Sequence, residues 1–281
     1  MIAVSTIAWP READAVVIEA LRDGPARGIE LAPTREWADP TAATRSEIAK
    51  VRERWAGAGL PIVACQSLFF GRDDFGIFGD TARRERTAEH LDRMIRLCAS
   101  LGAGRVTFGA PALRRRGEMP AEEASEIARH FFAHAAATAD ACGTTLCLEP
   151  LPRQYGCDVL VTTRDCVDLL VRVSSPGLAL VLDSAALAMN GEPLDEAFRI
   201  ATPWLRHYHI SEPDLAPIGS GGVPHREIAQ SLAATGYSGW LTVEMRASEA
   251  GHAATVRAAV RRAAEDYQLV TGRCAGNRSA G

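Results

Sequence analysis

TTLCLE at residues 144–149 and LALVLD at 178–183 are two short apolar runs that each stop on a carboxylate, with a stretch of helical periodicity, 163–173, between them. Strand, helix, strand in this order is the unit of a parallel sheet. The same alternation extends in both directions. Further β-rich runs lie at 2–8 (IAVSTIA), 28–33 (GIELAP), 61–67 (PIVACQS), 104–109 (GRVTFG), 205–211 (LRHYHIS) and 239–245 (GWLTVEM). Helical stretches are expected at 11–22, 41–57, 81–101, 121–142, 163–173, 194–202, 224–235 and 249–270. Thr81 and Thr163 are the expected N-caps of two of them, and Gly102, Gly143 and Gly236 stand just past helix ends. Eight strands and eight helices in alternation predict an α/β chain forming a single (β/α)8 TIM barrel over residues 1–270. The small polar stretch 271–281 reads as a disordered C-terminal tail.

Composition narrows the function classes. The chain has 281 residues, 47% hydrophobic, enough for a large core. Its 31 basic and 35 acidic residues give a net charge of −4, which argues against a generic nucleic-acid surface. Lys50 is the single lysine, a bias without mechanistic content. No run of 18 uncharged apolar residues occurs and residues 1–5 do not resemble a signal peptide, so a cytoplasmic chain without membrane association is expected. The seven cysteines form no C-x-x-C pair and are expected to be small, mostly buried hydrophobes.

In such barrels chemistry sits at the C-terminal ends of the strands. Glu149, Asp183 and Glu244 close three of the apolar runs, and His209 lies near the end of a fourth. Strand alternation turns Leu148, Leu182 and Val243 toward the helices and the three acids toward the barrel axis. Carboxylates so crowded must either protonate or be neutralised by a cation. One divalent ion held by three oxygens and a nitrogen is the economical solution, with Mn²⁺, Mg²⁺ or Co²⁺ suited to the set and Zn²⁺ as a further option. Such an ion could stabilise an enediolate formed by loss of an α proton, and two glutamates could carry that proton.

The strand ends L-E-P at 148–150, L-D at 182–183, H-Y-H-I-S-E at 207–212 and V-E-M at 243–245, with ligand gaps of 34, 26 and 35 residues, resemble the xylose isomerase-like TIM-barrel superfamily. This group includes sugar phosphate isomerases/epimerases, ketose 3-epimerases, hydroxypyruvate isomerase, inosose dehydratase and, more distantly, endonuclease IV. The resemblance implies a metal-dependent isomerase or epimerase of a small sugar, sugar phosphate or related polyhydroxy carbonyl compound. It implies a metal held by Glu149, Asp183, His209 and Glu244, and acid/base roles for Glu149 and Glu244. It also departs from the ketose 3-epimerase pattern: Ala186, Tyr155 and Leu215 stand where that branch carries a sugar-binding His, a Glu and an Arg. A metal-dependent lyase resembling inosose dehydratase, or a metal- or sugar-binding barrel without turnover, are the alternatives.

Glu30, Tyr155, Asp158 and His225 are the candidate substrate contacts. His207, one layer deeper than His209, reads as its support. Arg114, Arg115 and Arg116 read as a solvated loop, and the run 219–222 (GSGG) as a flexible loop that could otherwise cradle an anion. His90, His130, His134 and His252 are expected at the surface. Residues 68–80 hold Phe69, Phe70, Phe75 and Phe78 among glycines, which suggests a lid, a subunit contact in a homo-oligomer, or packing under neighbouring helices.

Overall fold

A computed structural model of the chain describes residues 1–249 and 251–276, with side chains described to residue 272. Eight parallel strands close into a barrel in sequential order: β1 (Ile2–Ser5), β2 (Ala26–Leu31), β3 (Ile62–Cys65), β4 (Arg105–Phe108), β5 (Thr145–Leu148), β6 (Leu178–Asp183), β7 (Leu205–Ile210) and β8 (Leu241–Val243). The helices around it are α1 (Asp14–Leu21), α2 (Pro33–Glu36), α3 (Arg45–Gly57), α4 (Thr81–Ser100), α5 (Ala121–Ala141), α6 (Thr163–Val173), α7 (Ser184–Asn190), α8 (Leu194–Ala201), α9 (His225–Ala234), α10 (His252–Asp266) and α11 (Gln268–Gly276). The (β/α)8 architecture follows the alternation of the sequence. Among the described residues no helix is long and apolar enough to cross a membrane.

Several boundaries move for identifiable reasons. β1 stops at Ser5 because Thr6–Ala8 turn into a 3-10 helix capped by the Ser5 side chain. β2 begins at Ala26 rather than 28, and Pro33 opens α2 instead of ending the strand. The helix expected from 41 starts at Arg45, where Thr44 and Glu47 form a reciprocal capping box. The caps of α4 and α6 are Asp80 and Thr162, one residue before the expected Thr81 and Thr163. α11 occupies residues 268–276 and so includes the first six residues of the stretch expected to be a disordered tail. The remainder of that stretch, 277–281, lies outside the described residues. Gly102, Gly143 and Gly236 follow their helices with positive φ, as expected.

Strand alternation divides the interior in two. Leu146, Leu148, Leu180, Leu182 and Val243 join the large core between sheet and helices, whereas Cys147, Ala179 and Val181 form a separate apolar cluster inside the barrel. Above and beside that cluster the axis is polar: Glu30, Thr107, His207, His209 and Thr242 are all fully or almost fully buried. The register lays these residues in layers, with Val181 beside His207, Asp183 beside His209 and His209 beside Thr242. The cysteines at 65, 98, 147, 157 and 166 are buried free thiols.

The two threonines at the start of α6 separate a cap from a bystander. The Thr162 hydroxyl accepts from the Asp165 N–H at 3.2 Å, while the buried Thr163 hydroxyl has no hydrogen-bond partner. Thr162→Ala is expected to cost about 1 kcal/mol, a fall in Tm of roughly 2–4 °C. Thr163→Val should be neutral or stabilising, since it removes an unpartnered polar group; thermal denaturation of both variants checks the assignment.

Candidate metal centre and cavity

The four residues picked out by their strand ends meet. One ligand atom from each of Glu149, Asp183, His209 and Glu244 lies within 4.8 Å of every other. Glu149 and Glu244 each sit one residue past the end of a strand, yet they continue the ladder: the Glu149 N–H donates to Phe108 O at 3.2 Å and the Glu244 N–H to Ile210 O at 2.9 Å. Their side chains therefore inherit the inward direction of β5 and β8. Gly109, at the end of β4, makes room for one of them, because a Cβ there would stand 2.6 Å from Glu149 Oε2.

His209 is the hub. Its Nδ1 faces Glu149 Oε1 at 3.0 Å and Glu244 Oε2 at 3.2 Å, and its Nε2 faces Glu30 Oε2 at 3.1 Å. With Nε2–H donated to Glu30, the neutral imidazole directs the Nδ1 lone pair into the carboxylate cluster, the tautomer a metal ligand needs. Glu30 is thus corrected from a substrate contact to a support. It is fully buried, its Oε1 accepts from the Thr107 hydroxyl at 2.9 Å, and His207 lies 2.7 Å from its Oε2. His207 consequently supports His209 through Glu30 rather than directly.

The electrostatics reflect crowding. Burial, with Glu149 and Glu244 close by, pushes Asp183 up to about 7. Burial likewise raises Glu244 despite the opposing pull of His209. Glu30 moves the other way: burial would raise it, but His207 and His209 hold it well below the usual carboxylate range. Burial disfavours charge on His209, yet Glu30 and Glu244 keep its pKa well above that of a free imidazole. Asp183 is fixed on both oxygens, accepting from the Ala186 N–H at 2.7 Å as cap of α7 and from the Ser211 hydroxyl. A divalent cation answers this donor set on chemical grounds. Two buried carboxylates, Glu149 and Glu244, share one imidazole nitrogen whose single hydrogen cannot satisfy both, and a third, Asp183, has an oxygen within 4.8 Å of the same group.

The three carboxylates of the cluster form the floor of a cavity of 910 Å³ that opens at the strand ends. Gln66, Thr107 and Ser211 add polar groups to the floor, while Phe108, Leu113, Leu151 and Leu215 lie on the walls. Four non-glycine residues lining it, Ser67, Ala110, Asp214 and Leu215, have positive φ between 46° and 58°. A left-handed conformation costs such residues about 1–2 kcal/mol each. Strain of this kind collects where side-chain direction is dictated by a site.

The other expected contacts divide. Tyr155 lines the cavity, and its hydroxyl accepts from the Asp214 N–H at 3.3 Å. Asp158 does not line it; its carboxylate accepts from the Arg116 N–H at 2.9 Å and ties together the loops after β4 and β5. His225 is buried away from the cavity, with Nε2 3.2 Å from Glu212 Oε1 and Nδ1 3.1 Å from the Tyr267 hydroxyl. The 219–222 loop does cradle an anion, but that anion is Glu212 of the same chain. Gly219 N–H donates to it at 2.7 Å and Val223 N–H at 3.2 Å, and a Cβ on Gly221 would come within 2.5 Å of its Oε2.

Arg114 is corrected from a solvated residue to a fully buried one whose Nη1 donates to Glu149 O at 2.8 Å and Leu160 O at 3.1 Å. His90 is corrected from the surface to a half-buried position against Phe69 and Phe75, with Nε2 3.1 Å from Leu68 O. Phe69, Phe75 and Phe78 pack inward, so packing accounts for three of the four loop aromatics; Phe70 alone is exposed, at 77%. Gln66 and Ser211 escaped the sequence reading although a signal was present. Each is a polar residue just past the end of a strand, and Ser211 falls on the inward face shared by His207 and His209.

The comparisons agree with this geometry. A family model described as xylose isomerase-like TIM barrel matches residues 18–265. Among characterised relatives, a D-psicose 3-epimerase of Ruminiclostridium cellulolyticum is 31% identical over 109 residues, 39% of this chain and 37% of that protein. A fructoselysine 3-epimerase of Escherichia coli O157:H7 is 34% identical over 112 residues, 38% and 40% of the two chains. The matched segment thus spans well under half of these relatives' length. Similarity of fold extends further. An L-ribulose 3-epimerase structure superposes with a TM-score of 0.80 at 23% identity, covering 100% of this chain and 98% of that one. An Escherichia coli 3-keto-D-glucoside 4-epimerase superposes with 0.78 at 17%, covering 94% and 98%. Ordered strand ends, a closed barrel and a family match over most of its length place this chain in the xylose isomerase-like TIM-barrel family.

Proposed function

We propose that the chain is a divalent-metal-dependent epimerase of a polyhydroxy carbonyl compound, with Glu149, Asp183, His209 and Glu244 as the metal ligands and Glu149 and Glu244 as the proton carriers. The observation that carries the reading is the convergence of these four side chains, with the three carboxylates on the floor of the cavity and His209 buried beside them. A cation bound there would act as a Lewis acid toward a substrate carbonyl and offset the negative charge that accumulates when the neighbouring C–H is lost. Glu149 and Glu244 come from β5 and β8, three places apart around the barrel, so they reach the substrate from different directions. One carboxylate takes the proton while the C–H electron pair moves toward the carbonyl oxygen. The other returns a proton to the opposite face of the same carbon, which inverts it. The characterised relatives are 3-epimerases by name, which supports epimerisation over isomerisation between adjacent carbons. Tyr155, on the cavity wall, is the proposed substrate contact retained from the sequence.

Metal binding should depend on pH with a defined sign. Asp183 must lose its proton to serve a cation, so affinity is expected to fall as pH drops through about 7. Without the ion, a raised carboxyl pKa contributes stability that is fully present below the ordinary carboxylate range and is lost as pH rises through about 7. Thermal shifts with chelator and with Mn²⁺ should show stabilisation by the ion growing between about pH 6 and pH 8. No response to Mn²⁺, Mg²⁺ or Co²⁺ at either pH would overturn the metal assignment. His209→Ala should lower affinity at least about tenfold, as should Gly109→Ala through displacement of Glu149, whereas exposed His130→Ala should change nothing.

Gln at position 149 or 244 keeps an oxygen for the cation and removes the proton acceptor. Each variant is expected to fold, bind metal and lose turnover by about 100-fold or more. One of them should still exchange solvent deuterium into the epimer whose C–H faces the surviving glutamate, without inversion. Near-normal turnover in both variants would refute the acid/base roles.

A further inference from the structure

The cavity is chemically divided. Its floor carries Glu149, Asp183, Glu244, Ser211, Thr107 and Gln66, whereas the rising wall presents Leu113, Leu151 and Leu215 beside Tyr155 and Asp214, with Phe70 exposed at the rim. A bare ketohexose has a hydroxyl on nearly every carbon. Seated on the floor, it would turn its far hydroxyls toward these apolar side chains, where they lose water without gaining partners. The volume points the same way, because 910 Å³ lies near the top of the range, roughly 300–1,000 Å³, that holds drug-sized ligands.

Charge argues against a phosphate on the far end. Five carboxylates line the cavity, at residues 73, 149, 183, 214 and 244, against the two guanidiniums of Arg72 and Arg246. Arg72 is committed to Asp74 through two hydrogen bonds of 2.8 and 2.9 Å and lies over the Phe75 ring. Phosphate recognition calls for clustered cationic donors, and above the floor Asp73 and Asp214 balance Arg72 and Arg246 instead.

Leu215 fixes the character of the wall. It is presented from a left-handed backbone at φ 55°, its carbonyl accepts from the Arg246 N–H at 2.8 Å, and its loop is anchored by the buried Glu212 in its cradle of backbone N–H groups. A loop held in that conformation offers an apolar side chain to the cavity by construction.

We infer that the substrate is an uncharged polyhydroxy carbonyl compound bearing a bulky apolar substituent, an aryl group above all, with its sugar-like end on the metal floor and its substituent along Leu113, Leu151, Leu215 and Phe70. This rests on the metal-dependent reading above for the floor; the wall argument stands on its own. The test uses the Mn²⁺-loaded protein and four probes: the methyl and phenyl glycosides of one 3-ketohexose, the free ketohexose D-psicose, and a ketohexose 1-phosphate. Binding is followed by calorimetry and proton abstraction by deuterium uptake from solvent. The phenyl glycoside should bind about tenfold more tightly than the methyl glycoside, and the phosphate no more tightly than the free sugar. Leu215→Asn and Phe70→Ser should each bring the phenyl-to-methyl ratio toward one. A ratio below about threefold, or a phosphate that binds most tightly, overturns the inference. If the phenyl preference holds but no probe takes up deuterium with any divalent metal, the substrate class stands and the reaction assignment fails. If D-psicose exchanges as fast as the phenyl glycoside, the reaction stands and the substrate class fails.

Discussion

Negative charge concentrated on the barrel axis is the constraint around which the rest of the molecule is arranged. Glu30, Glu149, Asp183 and Glu244 are all buried within two layers of side chains, and His207 and His209 are the cationic or donor groups set among them. Each unpaired carboxylate in such surroundings would be costly enough to protonate rather than stay charged. The lower layer resolves this internally, since Thr107, His207 and His209 satisfy Glu30. The upper layer does not: Glu149 and Glu244 share one imidazole nitrogen, and Asp183 is driven toward its protonated form. The two layers thus have different chemical characters: in one the carboxylate is satisfied by hydrogen bonds, and in the other the carboxylates outnumber their donors.

The periphery maintains that upper layer. Arg114 fastens the backbone of Glu149 from below the β4 loop, Gly109 leaves space for its carboxylate, and Ser211 and the first turn of α7 fix Asp183. Orientation of these side chains through a second ring of hydrogen bonds limits the geometries they can adopt. Much of this support is backbone to side chain, which explains why it involves residues of ordinary appearance in the sequence.

Above the floor, strained backbone shapes the opening. Ser67, Ala110, Asp214 and Leu215 stand on three different loops, and their unfavourable φ values are offset by the anchoring of those loops elsewhere. The Glu212 cradle is the clearest anchor, with His225 and Tyr267 closing its inner side. Of the departures from the ketose 3-epimerase pattern, Tyr155 and Leu215 line this opening, whereas Ala186 is buried beside Asp183.

Much of this was legible in residue order. Periodicity identified the strands and helices because burial on one face imposes a period of two or of 3.6 wherever it occurs, and the barrel followed from their number and alternation. Glu149, Asp183, His209 and Glu244 were legible for a related reason: a polar residue at the end of an apolar strand has its direction set by the strand itself. Local signals failed where the deciding contact comes from far along the chain. Glu30 looks like a residue at the mouth until His207 and His209, nearly 180 positions away, close over it; Arg114 looks solvated until residues 149 and 160 bury it; and the glycine loop looks open to any anion until Glu212 occupies it. Sequence determined which residues face the axis, because that is a property of a single strand. Only the tertiary structure decided which of them meet in one cluster, which pair beneath it and which never reach the cavity, because burial and pairing are properties of several strands brought together.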